Sequence, residues 1–551
     1  MALSKVKVVV GIGGIAFAYK GDVRQIEVND KWPGRLGHLK TNTAILYDED
    51  WKVLKWGAAA YLGRPRARDA ESRRQLKPVD LFKLHLGDNM PGEKPQLPPG
   101  LDFKKAISDY LAELWQCTKE ILEKRWPAVS MDEEVLKVLT IPAEFNENTK
   151  AVMRNCAANA KVIDHVDSPL LEFTTEPEAA AIDCLAKVED HYNLEPGDSF
   201  LIVDCGGGTI DLTTHTLLHG KRLSEITERT GCFFGSTHID RAFSIFLTSK
   251  VSIAAFRELK DNYYYQYQQV IRNFCEKAKI PFNGDEDDFE PYSLDIDRTC
   301  PALKTIMKQM NVPEVEQLEE DKWTIDVEFE DIKNFFDQSI NQILEEIKKQ
   351  LASSNGQISA IFLVGGFGES PYLVKRVREE FSSNVPTIAV PAQPIIAIAR
   401  GAVAYGLDMR VVQTRVLKWT YGIEVSCPWQ AGDPVHRKGR DGLQQTFQRL
   451  AKRGTQVEVD EDFVIDLKPT HEGQTEMHFP IYYTSKENSK YCDDLEMRRL
   501  GLLTIDLPTT ADETERTVEF RLIFGQMELK AAAKIKKTDK TCHAVFKLSE
   551  Y

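Results

Sequence analysis

The chain is punctuated by short, unbroken apolar runs that end in glycine. Phe200, Leu201, Ile202 and Val203 form one such run, followed by Asp204 and the triplet Gly206, Gly207 and Gly208. A run of this kind predicts a strand buried on both faces. Val6, Val8, Val9 and Val10 predict another, ahead of a glycine turn at 11–14 and a second strand over 15–19. The segment 200–217 repeats that outline of strand, glycine turn and strand. Two such units far apart predict a duplicated, two-lobed α/β domain; a chance hairpin is the alternative. Further strands are predicted over 135–141, 171–174, 360–364 and 387–390, and 323–329 alternates as one. A period near 3.6 predicts helices between them. One covers 102–124, with Phe103, Ile107, Leu111, Leu114 and Ile121 on its apolar face. Others cover 148–160, 179–185, 262–280, 332–351, 371–381 and 394–407, and one begins at Ile239. The segment 62–100, rich in Arg, Lys, Pro and Gly, reads as a surface excursion, and 284–290 as an acidic loop.

The texture changes near Asp408. Residues 411–426 alternate, and 427–448 are polar and rather basic. Alternating strands then recur at 457–459, 463–467, 478–483, 502–507, 518–524, 527–533 and 544–548. This predicts a half-exposed antiparallel β domain. The expected division is an α/β domain over 1–410 and a small β domain over 411–551.

Size and composition agree with that division. The chain has 551 residues, more than one core usually carries. Its net charge of −14 argues against a general nucleic-acid or anionic-membrane binder, which needs a basic excess. The ten cysteines are scattered without a C-x-x-C pair, so neither a zinc site nor a disulfide scaffold is expected, and reduced thiols in the cytoplasm are the simplest reading. A signal peptide is not expected either: Lys7 interrupts the first apolar run, and Gly21-Asp22 turns it where cleavage would be needed. No segment reaches the ~20 apolar residues of a membrane span, so no membrane insertion is expected.

Three consecutive glycines accept positive φ and let a ligand approach the backbone. Successive free N–H groups in such a turn make a concave anion site. Thr209 adds a hydroxyl and Asp211 a second carboxylate. Carboxylates do not bind phosphate directly, but they hold the divalent cation that accompanies it. The segment 204–211 therefore reads as a metal–phosphate motif; for the glycines alone, a simple β-turn would be the ordinary reading. Gly365 and Gly366 form another turn, after which Ser370 is a good N-cap and Pro371 a good first helical residue. A helix N-terminus facing a glycine turn accepts nucleotide or phosphate groups. Glu276 and Lys279 share one helix face, ordinarily a solvated one. Glu176, beside Pro177, is ordinarily a helix-start carboxylate.

Four motifs occur in a telling order: Thr175-Glu176-Pro177-Glu178-Ala179-Ala180-Ala181, VDCGGGTIDL at 203–212, Cys275-Glu276-Lys277-Ala278-Lys279, and LVGGFGESPYL at 363–373. In order and spacing this resembles the nucleotide-binding domain of the 70-kDa heat-shock proteins, over residues 5–410. The part from Leu450-Ala451-Lys452-Arg453-Gly454 onward is more faintly similar to that family's β substrate-binding domain. It stops where the helical lid would start, as in a divergent, lid-less branch.

The resemblance implies an actin-like ATPase fold that binds ATP or ADP with Mg²⁺, and chaperone-type, nucleotide-controlled binding of a polypeptide client or a specific protein partner. It implies that Asp204 and Asp211 hold Mg²⁺ through water, and that Gly206, Gly207, Gly208 and Thr209 meet the phosphates. Glu176 would lie near the attacking water. Gly13 and Gly14 would form the opposing phosphate turn, and Gly235 would lie by the phosphates. Glu276 and Lys279 would bind the adenosine, with Gly365 and Gly366 against its base.

Three departures qualify these roles. The turn Gly11-Ile12-Gly13-Gly14-Ile15 lacks the family's aspartate and hydroxyl pair and is several residues short. The run Gly57-Ala58-Ala59-Ala60 is followed by Tyr61, where the family has its catalytic lysine, and a phenol brings no fixed positive charge to a transferring phosphoryl group. Ile395 and Ile396 replace a polar helix start. At most weak ATP hydrolysis is expected, because phosphoryl transfer depends on positioned charge. A non-hydrolysing, nucleotide-dependent scaffold is the alternative, and a sugar-type kinase of the same superfold a more distant one.

Overall fold

The computed structural model describes residues 2–22, 25–62, 77–87, 94–143, 145–354, 356–471, 473–508, 516–524, 527–536 and 541–544. Much of the predicted 62–100 excursion, Glu144 and the end of the last predicted strand, 545–548, lie outside them.

The valine-rich start forms β1 (Val8–Ile12), buried along its whole length. Branched side chains pack well on such a pleated surface. The chain turns at Gly13-Gly14 and returns antiparallel as β2 (Ile15–Tyr19), with Ile12 opposite Ile15; β3 (Glu27–Val28) pairs with β2. α1 (Phe103–Arg125) is capped by Asp102, whose side chain accepts from the Lys104 N–H. β4 (Val135–Ile141) then pairs parallel with β1. α2 (Glu147–Asn159) leads to β5 (Leu171–Thr175), parallel to β4, and α3 (Glu176–Tyr192) starts at the residue after it. The resulting sheet runs β5-β4-β1-β2-β3.

A second sheet begins with the antiparallel pair β6 (Ser199–Cys205) and β7 (Ile210–Leu218), to which β8 (Arg222–Glu225) and β9 (Thr230–Cys232) add. α4 (Thr237–Val251), α5 (Tyr264–Phe274) and α6 (Phe329–Ser353) pack on one of its faces. β10 (Ile358–Val364) pairs parallel with β6. α7 (Pro371–Phe381), capped by Ser370, leads to β11 (Thr387–Ala389), parallel to β10. α8 (Ala397–Leu407) then packs against α3, and one apolar cluster joins the two sheets through these two helices. Gly401 is required there: a Cβ on it would lie 1.7 Å from the Ala179 carbonyl oxygen.

β12 (Val412–Val416) pairs parallel with β8, so the chain leaving α8 becomes part of the second sheet. β13 (Thr420–Pro428) and β14 (Leu443–Ala451) follow, and β15 (Gln456–Glu458) returns to pair with β12. The remaining strands are β16 (Asp462–Leu467), β17 (Glu476–Thr484), β18 (Arg498–Asp506), β19 (Val518–Ile523), β20 (Lys530–Ile535) and β21 (Thr541–Ala544). They form two four-stranded sheets, β14-β13-β17-β18 and β16-β19-β20-β21. Ile423, Phe479 and Ile481 of one meet Phe520 and Leu522 of the other in a shared apolar core.

Several expectations change. The polar stretch 427–448 is strand at its two ends, 427–428 of β13 and 443–448 of β14, and β14 buries Gln444, Phe447 and Ala451 while leaving Gln445, Gln448 and Arg449 in water. The helix expected over 262–280 is two pieces, α5 and a π-helical turn at Cys275–Lys279, and a separate helix, Ile253–Asn262, ends where the expected one begins. A π turn inserts one residue per hydrogen-bonded ring and re-aims the side chains after it. The helix over 394–407 opens with a 3₁₀ turn, Pro394–Ile396. The predicted excursion is not all surface, since Phe82 and Leu86 are buried.

The β sheets are bolted to the rest through a buried ion network. Glu178, in the first turn of α3, is fully buried. It accepts from Arg415 of β12 at 2.8 and 2.9 Å and from Arg229 at 3.1 Å. Burial alone would raise its pKa, but the two guanidiniums outweigh that and hold it at about 2. Arg229 also binds Glu225, whose carboxylate accepts from the Val416 N–H at 3.1 Å. Arg453 pairs with Glu228 at 2.8 Å, and Arg154 of α2 with Glu528 at 2.9 Å.

Removing one partner of such a pair strands a charge in low dielectric. Glu178→Ala is therefore expected to destabilise the chain by about 3–5 kcal/mol, read as a lower urea midpoint. A carboxylate held below its ordinary 4.5 stabilises the fold above that pH, so this contribution should fade as pH falls from about 4.5 toward 2 and be missing from the acid titration of the variant.

Candidate functional site

The two glycine hairpins, β1–β2 and β6–β7, open onto one cavity of about 980 Å³. In the second hairpin Cys205 pairs with Ile210, and the four residues Gly206–Thr209 link them. The Gly206 N–H donates to the Thr209 carbonyl at 3.0 Å and closes the turn. The carbonyls of Gly206 and Gly207 are taken by the N–H groups of Ser236 and Thr237, at 3.1 and 2.9 Å. The N–H groups of Gly207 and Gly208 have no partner among the described residues. The turn is thus anchored from behind by its carbonyls and offers donors in front, the arrangement that receives an anion.

Asp204 and Asp211 face each other across the β6–β7 ladder. They are 3% and 1% exposed. Like charges placed opposite each other in a sheet repel, so this pairing needs a counter-charge. Asp211 Oδ1 accepts from the Ala143 N–H at 2.9 Å, whereas Asp204 Oδ1 is buried without a partner among the described residues. Burial, and then the nearby Glu176 carboxylate, push the Asp204 pKa up to about 7, while Lys40 and Lys83 pull it down. Among the described residues no three His, Cys or carboxylate side chains converge as a ready-made cage. Two carboxylates, one with an orphaned oxygen, fit a hard cation that keeps several waters and shares phosphate oxygens, as Mg²⁺ does.

Gly365 shapes the other wall. It follows β10, whose last residue, Val364, lies beside Asp204. Its φ is +78°, and a Cβ there would stand 2.5 Å from Asp204 Oδ1. Gly366 also lines the cavity, against Ile395. Gly235 lies behind the second turn rather than in the wall: a Cβ on it would sit 2.4 Å from the Gly207 carbonyl oxygen. Lys279 lines the cavity and is held by Asp240 at 2.6 Å and by the Ser236 carbonyl at 2.7 Å. Glu276 is exposed and outside the cavity lining.

The first hairpin is tighter than the second. Only Gly13 and Gly14 link Ile12 to Ile15, two residues against four. Gly13 packs on Thr140, whose Oγ1 would lie 2.3 Å from a Cβ on it. Tyr61 does not bring charge, as expected: its hydroxyl donates to Asp80 at 2.5 Å, and burial raises its pKa. The site is nevertheless not short of cations. Lys83 Nζ lies 2.6 Å from Glu176 Oε1, and Lys40 lines the same cavity. Neither was visible as a site residue in the sequence. Lys83 has one signal, a single lysine amid Leu81, Phe82, Leu84 and Leu86; Lys40 has none.

A family model described as a domain of unknown function, DUF8340, matches residues 194–390. The chain is similar to heat shock 70 kDa protein 12B of Homo sapiens, 23% identical over 96% of this chain and 88% of that protein. Heat shock 70 kDa protein 12A of Mus musculus is 24% identical over 94% of this chain and 87% of its own length. The chaperone protein DnaK of Picrophilus torridus is 25% identical over 52% of this chain and 42% of its own length.

An acid whose folded pKa lies above its ordinary value weakens the fold as pH rises between the two. For Asp204 that window runs from 3.8 to about 7, and the penalty is complete above it. Asp204→Asn is expected to raise the stability of the ligand-free chain at pH 8 by roughly 2–4 kcal/mol. The gain should vanish near pH 4, and thermal unfolding across that range reads it.

Proposed function

This chain is a divergent member of the 70-kDa heat-shock protein family, and on that footing we propose that it binds ATP or ADP with Mg²⁺ in the cavity between its two glycine hairpins. The observation that carries the reading is the opposed pair Asp204 and Asp211 beside a glycine turn that lines the cavity. Asp204 and Asp211 would hold the metal through water, and the metal would supply charge neutralisation for the phosphates. Gly206, Gly207, Gly208 and Thr209 would hold phosphate oxygens from the second hairpin, and Gly13 and Gly14 from the first. Gly235 would support the second turn from behind. Lys279, Gly365 and Gly366 would receive the nucleoside, with Glu276 at its outer edge. Glu176 would orient the water near the terminal phosphate.

In this reading residues 1–410 form a two-lobed, actin-like domain built from the duplicated hairpin units, and 411–551 a β domain that holds polypeptide. Nucleotide occupancy would change the grip of the β domain through β12, which belongs to 411–551 and pairs with β8 of 1–410. No helix among the described residues is long and apolar enough to cross a membrane, and the scattered cysteines support a cytoplasmic location. The relatives' names, heat-shock proteins and a chaperone, favour a polypeptide client. A second reading, a nucleotide-dependent scaffold without hydrolysis, is favoured by the two-residue first hairpin, which brings no side chain to the phosphates.

Calorimetric titration of the full chain with ATP and Mg²⁺, followed by a single-turnover assay with labelled ATP, tests these readings. Binding with slow phosphate release is expected. Absence of ATP and ADP binding overturns the nucleotide reading. Binding without release leaves the scaffold, and release stimulated by a sugar would point to kinase chemistry.

A further inference from the structure

The first glycine hairpin presents bare backbone, yet it is flanked by cations. Lys40 lies against it: a Cβ on Gly14 would be 3.8 Å from Lys40 Cγ. Lys83 comes from the short helical turn Phe82–Leu86, which is anchored by the buried Phe82 and Leu86. Both side chains line the cavity that also holds Glu176, Asp204 and the second glycine turn. Lys83 is spoken for by Glu176 at 2.6 Å. Lys40 has no hydrogen-bond or ion-pair partner among the described residues. Burial lowers the Lys40 pKa, and the Lys83 charge lowers it further, while Asp204 and Glu176 oppose that shift. Two ammonium groups gathered at the end of a cavity, one without a partner, are an arrangement that an anion would relieve.

Resting on the nucleotide reading above, we infer that Lys40 and Lys83 receive the terminal phosphate of a nucleoside triphosphate and supply the fixed charge that neither the first hairpin nor Tyr61 brings. Lysine suits this role as a compact point charge on a flexible stem. Lys83 would exchange partners as it does so. Its ammonium leaves the Glu176 carboxylate for a phosphoryl oxygen, and the Glu176 oxygen so released accepts from a water molecule instead. A diphosphate, one phosphoryl group shorter, would leave the Lys83–Glu176 pair in place. The site would therefore discriminate between triphosphate and diphosphate by ion-pair exchange.

The test is equilibrium binding of ATP and of ADP, each with Mg²⁺, to the full-length chain and to Lys40→Met, Lys83→Met, Lys83→Arg and the double variant Lys83→Met with Glu176→Gln. Thermal unfolding without ligand reports whether each variant folds. Charged hydrogen bonds of this kind contribute enough for a 10- to 100-fold effect, by the rule of tenfold per ~1.4 kcal/mol. Each methionine variant is expected to lose about that much ATP affinity while ADP affinity changes by less than about threefold. Lys83→Arg should keep most of the preference for ATP. The double variant should stay weak for ATP, because the carboxylate is not what the lysine serves. Equal losses for both nucleotides, no loss for either, or recovery in the double variant would overturn the assignment. A wild-type chain that binds neither nucleotide overturns the underlying reading, and the assignment with it.

Discussion

The Glu178 carboxylate is the point on which the rest of the molecule hangs. It lies at the start of α3, fully buried, and its charge is neutralised by Arg415, which arrives from 237 residues further along the chain. A carboxylate cannot remain ionised there unless its partners are present and well aligned. The pair thus fixes β12 against α3, and β12 carries the β sheets behind it. The register of the second sheet is completed by the same docking, since β12 pairs with β8 on one side and with β15 on the other. His215 sits among the same charges and is kept neutral, its pKa held at about 4 chiefly by burial. The network therefore carries its charge on carboxylates and guanidiniums alone.

The candidate site depends on a different constraint, the close approach of backbone to carboxylate. β10 runs parallel to β6, so the turn after β10 arrives beside Asp204. Only a glycine at 365 lets that turn pass, because any Cβ would occupy the carboxylate oxygen. The glycine at 235 serves the second turn in the same way from the opposite side. Two aspartates are thereby held facing each other without bulk around them. Burial, and after it the Glu176 carboxylate, raise the Asp204 pKa, which leaves the cavity prepared for a cation.

What the sequence reveals, and what it hides, follows from the range of the interactions. Continuous runs such as Phe200–Val203 and Val8–Val10 are legible because burial on both faces demands apolar side chains at every position. The paired aspartates are legible because a hairpin sets them opposite each other through local geometry. β14 is hidden by its own exposure, since glutamine and arginine at its outward positions mask the alternation. Lys40 and Lys83 are hidden for another reason. They act through position in space, and nothing in their immediate neighbours separates a cavity lysine from a surface one. Arg415 is the extreme case: an arginine in the mixed strand VQTRV reads as a solvated position until Glu178 is found beneath it.

The two carboxylates that open α3, Glu176 half-buried and Glu178 fully buried, then take on a joint meaning. Glu176 and Glu178 belong to one helical turn, two residues apart, and so point in different directions. Glu176 holds Lys83 on the cavity side, and Glu178 holds Arg415 of β12. Both draw on the favourable field of the helix N-terminus. A rigid turn that carries one ion pair toward the site and one toward the strand cannot tilt without loading both. The ion pair that lines the cavity and the one that anchors β12 are thus rooted in carboxylates with only Pro177 between them.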